Sequence, residues 1–396
     1  MRENKIIIKT SNYFLTGSLL YLFYNHLPPC QNEIVIPKEP LLTRNINNFY
    51  IKNNVKLAIV GAGVAGSYLG NRLQRLGHQI EIFEATKKES HWPVCAWGAS
   101  KNMLETFSKN AGLNFDNYVL HYGKKLRMDL PEEKIEYLDL KGLVTYDKYL
   151  WEADLCHGLK INYGFHCTPE SDFLSNFDYI IDCTGFHRSL LPRSPQDFII
   201  PSYEFLVENV KGIDEFYVIG YKGARGYFWF FPLGNGRAYI GAGDIDRRYF
   251  GISEFFEKNP HAKVLRKIGR PIRLSPPKRM LPFHNENIIG VGESIGCVFP
   301  LLGEGIIPSL ICCNIFIDIL NRDSTFDSSL YEKRILKKFG YYDDVYRIVR
   351  LKMDGKLNSI KHFKLLMSMY RNMKREEKRF GFGIDFEQMN RLLKAL

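Results

Sequence analysis

The 396 residues, 45% hydrophobic and 24% charged, describe a globular chain too long for one simple core, so two domains or one elaborated domain is expected. A formal net charge of +11 favours an anionic partner, but no zinc-finger spacing, RNA-binding aromatic signature or basic arm is present, which sets nucleic acid aside. Eight scattered cysteines without a C-x-x-C pair read as reduced thiols inside a cell, not as a disulfide framework or a metal site.

The first apolar stretch, YFLTGSLLYLFY (13–24), is interrupted by Thr16, Gly17 and Ser18. It falls short of the roughly 20 residues that span a bilayer. Lys5 and Lys9 would suit the basic part of a signal peptide, but no small-residue cleavage site follows. Residues 1–54 are therefore read as an N-terminal extension outside the fold.

KLAIV, from Lys56, predicts a buried parallel strand. A glycine-rich turn follows, then a helix with Leu69, Leu73 and Leu76 on one side, ended by Gly77. Gln79 to Phe83 predicts a second strand closing at Glu84, completing a βαβ unit. Helices are expected over 100–112 and from Asp147 to Leu159. FDYIIDCTG (177–185) reads as a strand and turn, and EFYVIGY, YFWFFP and RAYIGAG as strands within 214–245. IIGVG (288–292) is one more buried strand. An apolar helix follows Gly305, and the chain from Ser328 on is helical and basic.

GYFWFFPLG (226–234) poses a question of its own. Side chains alternate across a strand, so Tyr227, Trp229 and Phe231 share one face and Phe228 and Phe230 the other. One aromatic face suits a core. Rings on both faces ask for a second surface.

GAGVAG, Gly61 to Gly66, fits G-x-G-x-x-G, and here it follows a strand, opens a helix and precedes Glu84 at the next strand's end. Gly61 permits the tight turn, Gly63 lets a pyrophosphate approach the backbone, and Gly66 allows close packing of helix on strand. The helix N-terminus offers free N–H groups to phosphates, and Glu84 offers acceptors to a ribose diol.

A later stretch, IIGVGESIGCVFPLLGEGI (288–306), resembles the second flavin-contacting motif of FAD-dependent oxidoreductases of the p-hydroxybenzoate hydroxylase type. The resemblance implies that Gly292 and Glu293 meet the ribityl chain, and that Pro300, Gly303 and Gly305 lie beside the isoalloxazine ring. Glu293 stands where that group usually has Asp. DCTG (182–185), with Gly185, looks like its short motif near the FAD pyrophosphate.

HWPVCAWGAS (91–100) resembles the proline-to-cysteine-glycine segment of geranylgeranyl reductases, through Pro93, Cys95 and Gly98, with Ala96 and Trp97 inserted. Tyr227, Trp229, Phe231 and Pro232 resemble the Tyr-x-Trp-x-Phe-Pro motif that lines the prenyl pocket of that family. RAYIGAG and KRMLPF (278–283) continue the likeness, which spans roughly residues 56–320. Two departures stand out. Tyr146 lies where the family often has arginine, and the chain between Lys160 and Asp178 is trimmed.

The fold implied is α/β: a Rossmann-like FAD-binding domain (55–200 and 284–325), an inserted antiparallel substrate sheet (201–283) and a helical basic C-terminal region (326–396). The chemistry implied is hydride delivery from reduced flavin to an isoprenoid alkene, with Cys95 or Tyr227 positioning the alkene or relaying a proton. A flavin monooxygenase or halogenase, and a flavin-binding accessory protein without catalysis, are the alternatives. The W-x-W-x-I-P motif common in such halogenases is absent.

With no second nucleotide fingerprint and no iron–sulfur spacing, NADPH, ferredoxin and a quinone pool all stay open as electron donor. Residues 333–379 hold fifteen Lys or Arg against five Asp or Glu, and 360–375 places Phe363, Leu366, Met369, Tyr370 and Met373 near one another on a helix. Such a helix either lies on an anionic membrane or packs into the core. A cytoplasmic protein with peripheral membrane contact is the expectation.

Overall fold

A parallel sheet and an antiparallel sheet carry most of the candidate cofactor and substrate residues or the loops that hold them. The computed structural model describes residues 54–212, 214–322 and 325–395, and the expectations for residues 1–53 lie outside them. The first sheet has six strands in the order His284–Asn285, Ile288–Gly290, Tyr179–Asp182, Lys56–Val60, Gln79–Glu84, Lys160–Tyr163. All pairings are parallel except the His284–Asn285 edge. KLAIV lies at its centre with four of its five side chains buried, as its continuous apolar run predicts. It sits between the strand that follows it and one that returns much later, so the loop after Val60 hangs at a topological switch point, where such sheets bind ligands.

Helices Val64–Arg75 and Ile306–Leu320 pack together beside this sheet, tied by a 2.9 Å bond from the Tyr68 hydroxyl to Asn314 Oδ1. The second helix is apolar on all sides and almost wholly buried, as its sequence requires. The helix expected from Asp147 runs only over Lys148–Leu155. Asp147 caps it, accepting from Leu150 N at 2.9 Å, and a turn at Cys156–Gly158 ends it.

The second sheet has seven strands, ordered Lys263–Gly269, Ser202–Glu208, Arg237–Asp244, Gly226–Gly234, Phe216–Gly220, Lys125–Leu130, Lys134–Asp139. Its last two strands come from residues 125–139, within the segment read from sequence as cofactor domain (55–200). They join through the sheet's one parallel pairing, Phe216–Gly220 on Lys125–Leu130. A small third sheet, Gly98–Ser100, Leu143–Tyr146 and Val119–Tyr122, lies against the Gly226–Gly234 strand, where Thr145 Oγ1 donates to the Pro232 carbonyl at 2.6 Å.

The two faces of GYFWFFPLG separate as the alternation predicts. Phe228 and Phe230 are buried with Tyr217, Ile240 and Phe255, the last supplied by the helix Phe250–Lys258. Tyr227, Trp229 and Phe231 point the other way, toward the parallel sheet's loops.

The basic C-terminal region forms helices, among them Tyr342–Met353, Phe363–Arg375 and Phe386–Ala395. The apolar residues expected to share a helix face do so, but protein already covers most of them. Leu366, Met369 and Met373 are buried, and Tyr370 and Phe363 pack edge-on against Phe386. Among the described residues no helix is long and apolar enough to cross a membrane.

Candidate functional site: a dinucleotide cradle facing an aromatic wall

The three glycines of the first motif have different physical reasons to be glycine. Gly61 has φ +102°, and a Cβ there would lie 2.5 Å from the Cys183 carbonyl oxygen. A Cβ on Gly66 would lie 1.9 Å from the Gly61 carbonyl oxygen, so the close packing of turn and helix forbids a side chain. Gly63 is different. Its φ of −73° suits any residue, and a Cβ there would have nothing within 4 Å. The protein leaves open space at the start of a helix that has no side-chain cap and no acidic residue in its first turn. That is the donor set a diphosphate needs.

Glu84 closes one side. Its Oε2 accepts from Ala62 N at 2.8 Å, and its Oε1 from Thr86 N and Oγ1 at 2.8 and 2.7 Å. Burial acts to raise its pKa, but these bonds and nearby His91 hold it below the usual carboxylate range. The carboxylate is thus ionised, with about one acceptor position left for a ribose hydroxyl.

Gly185 and Glu293 meet on the other side. A Cβ on Gly185 would reach 3.2 Å from Glu293 Oε2, and its φ is +65°. Glu293 does not project freely as a lone ribityl acceptor would. Arg270 Nη2 donates to its Oε2 at 2.9 Å, and Arg273 N to its Oε1 at 3.1 Å. Gly292, with φ +79°, lies beside the first motif's helix, since a Cβ there would come within 3.3 Å of Ala65 Cβ. The three motifs, distant in sequence, are thus brought side by side.

Two buried arginines that sequence reasoning missed hold these turns. The Arg273 side chain donates five hydrogen bonds: two to the Asp197 carboxylate and one each to the carbonyls of Gly185, Phe186 and Glu293, at 2.7–3.1 Å. Arg188 reaches the carbonyls of Pro192, Ser294 and Pro282 at 2.5–2.7 Å, and burial pulls its pKa down to about 10. Their partners are mostly backbone oxygens, which carry no sequence signal.

The late loop is shaped by its own glycines and by a glutamate between them. Pro300 is buried, Gly303 has φ +64°, and Gly305 begins the long helix with Val298 3.2 Å from where its Cβ would be. Glu304 accepts from Ile307 N at 3.1 Å, capping that helix, and pairs with buried Arg379. Burial raises the Glu304 pKa against the pull of Arg379. The C-terminal helices therefore brace the loop from behind.

The aromatic wall joins this loop directly. The Tyr227 hydroxyl donates to the Leu302 carbonyl at 2.5 Å, so its proton is already engaged. The Trp229 ring lies over Gly241 of the neighbouring strand, where a Cβ would come within 2.4 Å of it. Phe231 lies over Gly98, where a Cβ would meet its ring at 2.3 Å. That contact brings together the two segments whose resemblance to geranylgeranyl reductases was noted separately. Pro232 is buried beside them.

A second aromatic group continues the wall. Trp92 stacks on Tyr149 with ring centroids 4.7 Å apart and donates from its indole to the Tyr239 hydroxyl at 3.0 Å, while Trp97 lies 5.0 Å from the Tyr239 ring. Cys95 packs against this group, and burial of its sulfur pushes the thiol up to about 11. It is present as a thiol at neutral pH. Also missed from sequence was Glu204, 4% exposed on the wall side of its strand.

No protein-family profile matches the chain. Over 365 residues it is 24% identical to the digeranylgeranylglycerophospholipid reductase of Methanococcus vannielii, covering 78% of this chain and 90% of that one. A similar reductase from Methanosphaera stadtmanae is 33% identical over 102 residues, about a quarter (25%) of its length. Among solved structures, a geranylgeranyl bacteriochlorophyll reductase-like protein from Thermoplasma acidophilum aligns with TM-score 0.61 and 17% identity, covering 82% of this chain and 98% of that one. A flavin-dependent brominase aligns at 0.60 with 10% identity, covering 87% and 94%.

The parallel sheet with its switch-point cradle, faced by a large antiparallel sheet, is the architecture of the FAD-dependent oxidoreductases of the p-hydroxybenzoate hydroxylase type. Within that architecture the chain is similar in sequence to digeranylgeranylglycerophospholipid reductases. The open space at Gly63 and the ionised Glu84 fit the dinucleotide half of FAD. The residues that would hold it are Gly61, Gly63 and Glu84 on one side, and Gly185, Gly292 and Glu293 with Arg270 on the other.

Proposed function

We propose that the protein binds FAD in this cradle and reduces isoprenoid C=C bonds, most directly the geranylgeranyl chains of archaeal-type membrane lipids. One observation carries the reading. The Tyr227, Trp229 and Phe231 face is not buried against a helix as the opposite face is, but is joined at Tyr227 to the loop expected beside the flavin ring. An apolar polyene needs such a wall, because an unactivated alkene offers no carbonyl to polarise and alignment is the protein's main contribution.

When bound and reduced, the flavin supplies the hydride. The chain's own residues do the rest. Trp229 and Phe231 present ring surface to the polyene, Tyr227 fixes the wall to the late loop, and the packed rings exclude water. Glu304 and Arg379 hold that loop in place. Membrane contact, within this reading, rests on Ile360 (90% exposed) and Phe363, flanked by exposed Lys361 and Lys364.

The test is anaerobic reduction of the FAD-loaded protein in the presence of a geranylgeranyl lipid, followed by mass analysis. A gain of two hydrogens per alkene supports the reading. Oxygen incorporation in air would instead support a monooxygenase, and a purified protein that takes up no FAD would exclude both.

A further inference from the structure

A reductase that adds a hydride to an unactivated alkene needs a proton for the second carbon. Tyr227 has its hydroxyl proton engaged by a backbone carbonyl. Cys95, with its raised pKa, is a poor acid. Glu204 is buried, and its Oε1 has no hydrogen-bond partner. It lies on the Ser202–Glu208 strand with its side chain on the same face as Leu206, which packs against Trp97 and Tyr239.

Its position relative to the wall follows from register. Glu204 pairs with Gly241, and Gly241 pairs with Trp229. Gly241 has no side chain to separate them, and the part of the indole nearest the nitrogen lies directly over it. Two polar atoms flank this glycine without any partner. Glu204 Oε1 and Trp229 Nε1 are both buried and both unsatisfied. Trp97 Nε1 and the Tyr146 hydroxyl, also facing the Cys95 region, are unsatisfied as well. Buried polar atoms left unpaired are costly, and their clustering on one side of the sheet points to a ligand or water they serve.

We propose that Glu204 is the proton donor of the reduction, a role that rests on the reductase reading above. The alkene π pair takes the carboxyl proton at one carbon. The hydride from reduced flavin forms the C–H bond at the other. The alkene is reduced by two electrons and the flavin is oxidised by two, and the carboxylate left behind regains a proton from solvent. Positive charge building on the more substituted carbon would face the rings of Trp229 and Tyr227, which favour it.

The electrostatic surroundings keep the acid protonated near neutrality. Burial pushes its pKa up to about 7, against the lowering influence of the Cys95 backbone, Lys148 and Arg270. Lys148 is largely neutralised by its buried 2.6 Å bond to Glu152, and Arg270 by Glu293. The Cys95 thiol and Tyr239 are also close by, and both stay neutral because burial raises their pKa values.

The experiment uses the FAD-loaded protein and its Glu204→Gln and Glu204→Asp variants. Glu204→Gln should lower alkene saturation by about 100-fold, in the range a general acid contributes. FAD affinity and the rate of flavin reduction should be unchanged, and Glu204→Asp should recover part of the loss. The wild-type rate should fall as pH rises through about 7, a limb absent in the Gln variant.

Independently of turnover, infrared titration of the oxidised protein should show a protonated carboxyl band, missing in Glu204→Gln, that disappears over the same pH range. Wild-type saturation with equal rate and the same pH limb in Glu204→Gln would overturn the donor role while leaving the reductase reading intact. So would a Glu204 band that titrates below pH 5. A wild-type protein that saturates no isoprenoid would overturn the reductase reading, and the donor role with it.

Discussion

Gly63 and Gly66 sit three residues apart in one motif, yet alanine should affect them in opposite ways. At Gly66 a Cβ falls 1.9 Å from the Gly61 carbonyl oxygen and 3.2 Å from Ile59 Cγ2, so backbone must move. Overpacking of this kind costs about 1–3 kcal/mol, which in a chain this large lowers the melting temperature by several degrees. At Gly63 the φ of −73° is ordinary and nothing lies within 4 Å.

There the reduced entropy of the unfolded chain gives back about 0.4–1 kcal/mol, and the poorer helix cap costs a few tenths to about 1. Apo Gly63→Ala should melt within about 2 °C of wild type. Its FAD affinity is another matter. The methyl group takes the space the diphosphate needs, and losing one charge-assisted bond to the backbone costs about 1.5–3 kcal/mol. Affinity should fall by about 10- to 150-fold. The assay is flavin-fluorescence titration of apo protein beside a thermal melt. Unchanged affinity in Gly63→Ala, or a melting loss as large as that of Gly66→Ala, would refute the claim that this glycine is reserved for a ligand.

Three further expectations concern the wall, the loops and pH. Trp229→Phe should keep the fold and FAD affinity but raise the KM for an isoprenoid substrate about tenfold, from the loss of roughly 1–1.5 kcal/mol of aromatic contact; a proportional loss of FAD affinity would count against a substrate role. Arg273→Met strands the Asp197 carboxylate and three carbonyls, so stability should fall by about 3–5 kcal/mol with weaker FAD binding, read by melting and titration. Glu204 holds in the folded state a proton that the unfolded chain releases, so its contribution to stability falls as pH rises from its ordinary value of 4.5 to about 7. The full change is roughly 3 kcal/mol. Denaturation from pH 5 to 8 should show wild type losing most of that, about 2.5 kcal/mol, relative to Glu204→Gln; parallel curves would contradict it.

The parts legible in the sequence were those whose pattern is local. KLAIV, GAGVAG and Glu84 declare a βαβ turn by spacing alone, and the faces of GYFWFFPLG follow from alternation. The strands Lys125–Leu130 and Lys134–Asp139 were not legible. Their hairpin turns at Glu132 and Glu133, both with positive φ, where Asn-Gly would be the usual signal.

Glu204 was hidden for a related reason. SYEFLVE reads as a strand with polar residues on its solvent face, and only the opposite wall shows that this face is buried. Arg188 and Arg273 act on carbonyls brought near by the fold, which no spacing foretells. The helix Phe363–Arg375 showed its amphipathic face plainly, but sequence could not say whether protein or membrane covers it.

The central claim is that this flavin site passes its electrons to an isoprenoid alkene across the Trp229 wall. A single-turnover measurement tests it most directly: FAD-loaded protein is reduced, mixed without oxygen with a geranylgeranyl lipid, and followed by flavin absorbance and product mass together. The account predicts anaerobic return of oxidised flavin with one alkene saturated for each flavin reoxidised. Flavin that stays reduced until air is admitted, with oxygen then appearing in the lipid, would contradict it.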